Sequence, residues 1–153
     1  MNDDEIHVKV HVTFPDGDPR PARGEFLWAA MIPGRPYHYK VDNIPFMAYN
    51  ISYGDIVHAL PSDEFEREVT GVIEPSGCTV IRLAFDPEDE ATVMKLADDI
   101  LRLGARREKA TPWLMSIAID PGVDMGHVAA MLDSAQDNGV LQWEMGTLDE
   151  VQW

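Results

Sequence analysis

The first half of the chain shows the two-residue alternation that is typical of short β-strands. In residues 6–14, Ile6, Val8, Val10 and Val12 alternate with His7, Lys9, His11 and Thr13, so one face is predicted to be buried. Further strands are predicted over residues 26–32, 37–41, 56–60 and 67–73, separated by turns rich in Pro and Gly. We therefore expect residues 1–77 to form a β-rich half, either a small barrel or a twisted sheet.

The second half combines strands with two amphipathic helices. Asp86-Pro87 is typical of a helix start and Gly104 of a helix end, which predicts one helix up to about Leu103. A second helix is predicted over 124–137. The predicted strands cover residues 79–85, 106–110, 114–119 and 140–145. This β-α-β-β-α-β order predicts a ferredoxin-like unit over residues 78–153, packed on the first half to give an α+β protein.

The charge of the chain is strongly negative. Among 153 residues there are 27 Asp and Glu against 12 Lys and Arg, a formal net charge of -15. Residues 1–80 carry 13 acidic and 6 basic residues and residues 81–153 carry 14 and 6, so the excess is spread over both halves. Such a surface repels phosphate backbones and anionic membranes, so we expect neither direct nucleic-acid binding nor membrane binding. It suits a basic protein partner, although solubility alone explains it equally well.

The sequence favours a cytoplasmic location. Its one cysteine, Cys78, excludes an internal disulfide, which fits a reducing compartment. The first residues are acidic, unlike the basic start of a signal peptide. The apolar runs are all shorter than the roughly 20 residues that span a bilayer.

The titratable residues form no recognisable catalytic or metal-binding motif. His7 and His11 share a strand face, but their Cα atoms are predicted to lie about 13 Å apart, so both are expected to be surface residues. Cys78 has no neighbouring cation in the sequence to activate it. We therefore predict no catalytic residues, no metal site and no cofactor, while an active site assembled only in three dimensions stays an open alternative.

Residues 40–59 form the most unusual segment and admit two interpretations. The first is a long connection that Phe46 holds against the barrel. The second is a loop that presents Tyr49, Asn50, Tyr53 and Asp55 to a ligand or a protein.

Two resemblances to known families follow from these segments. Leu27-Trp28-Ala29, Asp42-Asn43-Ile44-Pro45-Phe46 and Ile51-Ser52-Tyr53-Gly54-Asp55-Ile56-Val57 resemble the core of a bacterial family that is catalogued only as a domain of unknown function. That resemblance supports the architecture and implies no activity. The C-terminal half, with Trp113-Leu114-Met115-Ser116 and Asn138-Gly139-Val140-Leu141-Gln142-Trp143-Glu144, is faintly similar to the acidic ribonuclease regulators of the B type. Those are ferredoxin-like inhibitors that bind an RNA-degrading enzyme.

The leading functional hypothesis is a non-enzymatic, protein-binding module, namely an immunity protein or inhibitor of a basic toxin or nuclease. The alternative is a regulatory domain that senses a small molecule in the crevice between the halves. The predicted partner-binding residues are Trp28, Tyr49, Asn50, Tyr53 and Asp55, with Trp113 and Trp143 as further aromatic candidates.

Overall fold

The first half of the chain is a closed five-stranded barrel. The computed structural model describes residues 5–18, 20 and 22–146. The barrel strands are β1 (His7–Thr13), β2 (Gly24–Met31), β3 (His38–Val41), β4 (Ile56–Leu60) and β5 (Glu68–Glu74). Consecutive strands pair antiparallel, and β1 pairs with β5 in parallel where His11 lies opposite Glu68. An odd number of alternating strands leaves one parallel pair on closure, and the prediction of a small barrel is confirmed.

The alternation read from the sequence places the barrel core correctly from Val8 onward, but Ile6, which was expected on the same buried face, precedes β1 and is 60% exposed. Val10 and Val12 of β1 are buried inside the barrel together with Leu27 and Ala29 of β2. The expectation that both β1 histidines lie on the surface is wrong for His11, which is only 6% exposed. Its outward-facing ring is covered because the ring of Phe65 stacks on it, with centroids 3.5 Å apart.

One end of β3 also departs from the prediction. The strand begins at His38, one residue later than expected. Tyr37 has a positive φ of 65° and is half exposed in the preceding turn. Its side chain therefore does not continue the buried side formed by Tyr39 and Val41.

The second half is a four-stranded antiparallel sheet with two helices. Its elements are β6 (Thr79–Ala84), a 3₁₀ turn (Pro87–Asp89), α1 (Glu90–Gly104), β7 (Ala105–Thr111), β8 (Leu114–Ile119), α2 (Met125–Asp137) and β9 (Gln142–Met145). The sheet order is β7-β8-β6-β9. Both helices pack their apolar residues against one face of this sheet, which confirms the ferredoxin-like arrangement. Neither helix in this described part has the length and apolar character needed to cross a membrane.

The two halves share the segment between β3 and β4, residues 42–55, called here the connecting loop. Ala48 and Ile51 of this loop are buried in the barrel core. Ile44 packs in the other direction, on Val80 and Ala118, which belong to the sheet face opposite the helices. The connecting loop therefore contributes to the cores of both halves.

Candidate functional site

Two buried charged residues hold the connecting loop from opposite sides. Glu25 points inward from β2, and its carboxylate accepts hydrogen bonds from the backbone N–H groups of Phe46 (2.7 Å), Met47 (2.9 Å) and Ala48 (2.8 Å). Arg82 lies on β6, 3% exposed, and donates to the carbonyl oxygens of Pro45 (3.5 Å) and Ala48. A carboxylate from the barrel thus binds the loop's N–H groups, while a guanidinium from the sheet binds its carbonyl groups.

Aromatic rings of the loop contact arginines of the ferredoxin-like unit. The Arg82 guanidinium lies 5.0 Å from the Tyr49 ring centre, and the Tyr49 hydroxyl donates to Glu144 at 2.9 Å. Burial raises the pKa of the Tyr49 hydroxyl, and the Glu144 carboxylate adds to this effect. Arg106 lies 4.3 Å from the Tyr53 ring centre and donates to the Tyr53 hydroxyl at 3.0 Å. These contacts cross the junction between the halves.

Four of the five predicted partner-binding residues lie at this junction. Besides Tyr49 and Tyr53, Asn50 donates its backbone N–H to Gly146, and Asp55 is 4% exposed and accepts from the N–H groups of Ser52 and Ser76. Burial raises the pKa of Asp55, and these two backbone hydrogen bonds partly offset the rise. The described contacts of these residues lie within the chain, and their role in partner binding stays a prediction.

The connecting loop is thus a structural connection, as the first interpretation had it, but the residue that fixes it differs from the one expected. Phe46 is only partly buried, and its backbone N–H, not its ring, makes the strong contact with the barrel. Glu25 supplies that contact. The sequence contains a signal for this contact. Glu25 is two residues before Leu27 and four before Ala29, so its carboxylate is on the same inward-facing side of β2 as these apolar residues.

The fifth residue, Trp28, lies on an exposed part of the barrel that we call the aromatic surface, formed by Lys9, Phe26, Trp28 and Phe65. Phe26 and Trp28 point outward from β2 and are 55% and 50% exposed. Lys9 lies opposite Trp28 on β1, and its ammonium nitrogen is 5.1 Å from the Trp28 ring centre and 5.9 Å from that of Phe26. Phe65 extends the surface, with its ring centre 5.6 Å from that of Phe26.

At Trp28 the aromatic surface borders a shallow cleft of about 610 Å³ between the two halves, called here the Trp28 cleft. Its described lining consists of His7, Trp28, Asp42, Asn43, Phe46 and Glu108. Asn43 is fixed because its side-chain oxygen accepts a hydrogen bond from the backbone N–H of Trp28 at 2.7 Å. His7 Nε2 lies 2.8 Å from Asp42 Oδ2.

Glu108 brings a partly desolvated carboxylate to this cleft from β7. Burial raises the pKa of Glu108, and the nearby carboxylates of Asp42 and Glu25 raise it further. Hydrogen bonds with the Ile44 backbone and the Asn43 side chain offset part of this rise. The cleft therefore combines aromatic rings with carboxylates that repel one another.

Within residues 5–18, 20 and 22–146, no group of three or more His, Cys, Asp and Glu side chains lies close enough to hold a metal ion. Sequence reasoning missed Phe26 and Glu108, which were not distinguished from other strand residues. It also missed Arg82, although a charge within the apolar run Val80-Ile81-Arg82-Leu83 is a signal of a buried ion.

Comparisons with known proteins give a family and a fold. The model of the family described as "Domain of unknown function (DUF4265)" matches residues 25–143. The chain is similar to a solved structure titled "Novel crystal structure of a hypothetical protein from Neisseria gonorrhoeae", with a TM-score of 0.76, 20% identity, and coverage of 94% of this chain and 96% of that chain. At this identity the similarity shows the fold alone.

No curated protein matches the chain, and neither the family nor the solved structure indicates an enzymatic family. The similarity of the C-terminal half to ribonuclease regulators stays a prediction. Because the family model covers well over half of the sequence, including the Leu27-Trp28-Ala29 and Asp42–Val57 segments, the chain belongs to the DUF4265 family.

Proposed function

We propose that this protein is a non-enzymatic binding module that recognises a basic protein, as an immunity protein or inhibitor of a basic toxin or nuclease does. The observation that carries the proposal is the exposure of Phe26 and Trp28, side by side on the outer face of β2. Exposed aromatic residues that adjoin one another are typical of protein interfaces, where Trp often supplies most of the binding energy.

The charge of the molecule supports a basic partner for this surface. The net charge of -15 attracts a cationic protein over a distance and increases its rate of encounter. Glu64 and Glu66 flank Phe65 of the aromatic surface, so two carboxylates border the rings that would be buried, together with Lys9 and Arg67. A partner with arginine or lysine around an apolar centre is complementary to this arrangement.

The test is direct binding to the proteins encoded beside this one, measured by titration calorimetry at physiological salt. We expect one basic partner to bind, and Trp28→Ala to weaken its binding by about tenfold or more. Leu103→Ala is the control, because Leu103 is an apolar residue of α1 that is 42% exposed and belongs neither to the aromatic surface nor to the predicted partner-binding residues. The proposal fails if no basic partner binds, or if both variants weaken binding equally.

A small-molecule sensor is the second candidate, and the position of the Trp28 cleft favours it. The cleft lies between the two halves and is lined by residues from both, where a sensed ligand was expected. A thermal-shift screen with nucleotides and amino acids tests this role. Stabilisation by one compound at micromolar concentration supports it, and no stabilisation by any compound argues against it.

A further inference from the structure

Carboxylates face one another across the Trp28 cleft. Asp42 follows β3 of the barrel, and 41% of its side chain is exposed. Glu108 comes from β7 of the other half and lines the same cleft, and the Asp42 and Glu25 charges add to the burial that raises its pKa. A cation placed between these walls lowers the electrostatic cost of the neighbouring carboxylates, and the rings of Trp28 and Phe46 line the same cleft, where a cation gains from contact with a π face.

The chain binds its own cations with this same combination of groups. Arg82 lies against Tyr49 and pairs with Glu144 at 3.4 Å. Arg106 lies against Tyr53, 3.8 Å from the Asp120 carboxylate.

Arg20 repeats the arrangement on the barrel. Its guanidinium carbon lies 3.7 Å from the Phe14 ring centre and it pairs with Asp18. The described lining of the Trp28 cleft has the rings and the carboxylates but includes no arginine or lysine. Its basic residue is His7, whose Nε2 lies 2.8 Å from Asp42 Oδ2, and Lys9 of the aromatic surface lies over the Trp28 and Phe26 rings.

We propose that the Trp28 cleft receives the guanidinium or ammonium group of an arginine or lysine side chain from a protein partner. Asp42 and Glu108 pair with the charge from the two halves, and Trp28 and Phe46 contact its planar or aliphatic part. Only the protein origin of this side chain rests on the proposed function. The affinity of the cleft for the cationic group does not.

The test uses N-acetyl-arginine methylamide as the probe and N-acetyl-citrulline methylamide as its uncharged match. The indole N–H resonance of Trp28, assigned from the Trp28→Phe spectrum, reports on the cleft. We expect a saturable shift with the arginine probe and none with the citrulline probe. Asp42→Asn and Glu108→Gln are each expected to lower the affinity about two- to fivefold, as for a partly exposed ion pair.

Glu88→Gln is the matched control, because Glu88 is an exposed carboxylate on the 3₁₀ turn and its loss changes the net charge by the same amount. All three variants are first checked for a native amide spectrum. The proposal is overturned if citrulline shifts the resonance equally, or if Glu88→Gln weakens binding as much as the cleft variants.

A free small cation is the competing source of the same chemistry. n-Propylguanidine, which carries a single guanidinium and no peptide backbone, separates the two. Binding of n-propylguanidine that is equal to or weaker than that of the arginine probe supports a protein side chain, and tighter binding overturns it. The probe experiment needs no partner protein, so the two proposals can fail separately. If the probe binds but no basic partner is found, only the proposed function is refuted. If a basic partner binds but the probe does not, only the proposal for the cleft is refuted.

Discussion

Replacing Glu25 with alanine tests whether its carboxylate fixes the connecting loop. The carboxylate accepts three backbone N–H groups, of which that of Ala48 is buried and those of Phe46 and Met47 are partly buried. A buried donor that loses its acceptor costs about 1–3 kcal/mol. Taking the Ala48 N–H at that full value and the other two at about half, because water reaches them, gives a loss of about 2–6 kcal/mol.

The free energy of unfolding, from urea titrations followed by circular dichroism and tryptophan fluorescence, measures this loss. A free energy of unfolding lower by about 4 kcal/mol reduces the melting temperature by about 8–16 °C in a protein of this size. Glu25→Gln is expected to be destabilised too. The side-chain NH₂ group of Gln is a donor, so where a carboxylate oxygen accepted a hydrogen bond it would face the N–H groups of the loop.

Glu66→Gln is the matched control for Glu25. The Glu66 side chain is 88% exposed, so the change is expected to stay within about 0.5 kcal/mol. Amide hydrogen exchange is expected to rise at residues 46–48 in Glu25→Ala alone. A loss below about 1 kcal/mol, or unchanged exchange in that segment, would refute the role assigned to Glu25.

Three further predictions follow from the structure. Arg82→Met keeps the aliphatic volume but leaves two carbonyl groups without their donor, so urea titrations should show a free energy of unfolding lower by about 2–4 kcal/mol. Arg102→Met is the matched control, because the Arg102 side chain is 74% exposed, and equal losses in the two variants would contradict the prediction. Gly24→Ala places a Cβ 2.5 Å from the Val12 carbonyl oxygen, so the β1–β2 pair must shift at a cost of about 1–3 kcal/mol; an unchanged melting temperature would contradict it. Burial raises the pKa of Glu108 above its ordinary value of 4.5, so the folded chain binds this proton more strongly than the unfolded chain. The contribution of Glu108 to the free energy of unfolding therefore falls as the pH rises from about 4.5 through the raised pKa, and Glu108→Gln is expected to lack this fall. Parallel curves of stability against pH for the two proteins between about pH 4 and 8 would refute this prediction.

The strands were predictable because their alternation is local. β4 and β8 have the predicted bounds, Ile56–Leu60 and Leu114–Ile119, since each is a short run of apolar residues between turn signals. The helix predicted from Asp86 instead begins with a 3₁₀ turn, and α1 starts at Glu90. The Asp86 side chain makes no capping hydrogen bond, whereas Asp124 caps α2.

The contacts at the junction were not predictable in the same way. Residue type singled out Tyr49 and Tyr53, but their partners lie 95 and 53 residues further along the chain, in Glu144 and Arg106. Such pairs depend on how the barrel docks on the sheet, and no local pattern encodes that docking. A charge in the inward phase of a strand, as at Glu25, is local and therefore recognisable.

The Trp28 cleft belongs to neither half alone, which bears on how an acidic protein gains specificity. Trp28 comes from β2, Asn43 and Phe46 from the connecting loop, and Glu108 from β7. A net charge of -15 accelerates encounter with any basic protein, and so it cannot select among them. Selection requires carboxylates and rings held in a fixed arrangement. The hydrogen bonds of Glu25 and Arg82 to the loop supply that rigidity, and a side chain bound in the cleft would contact both halves and so stabilise their junction.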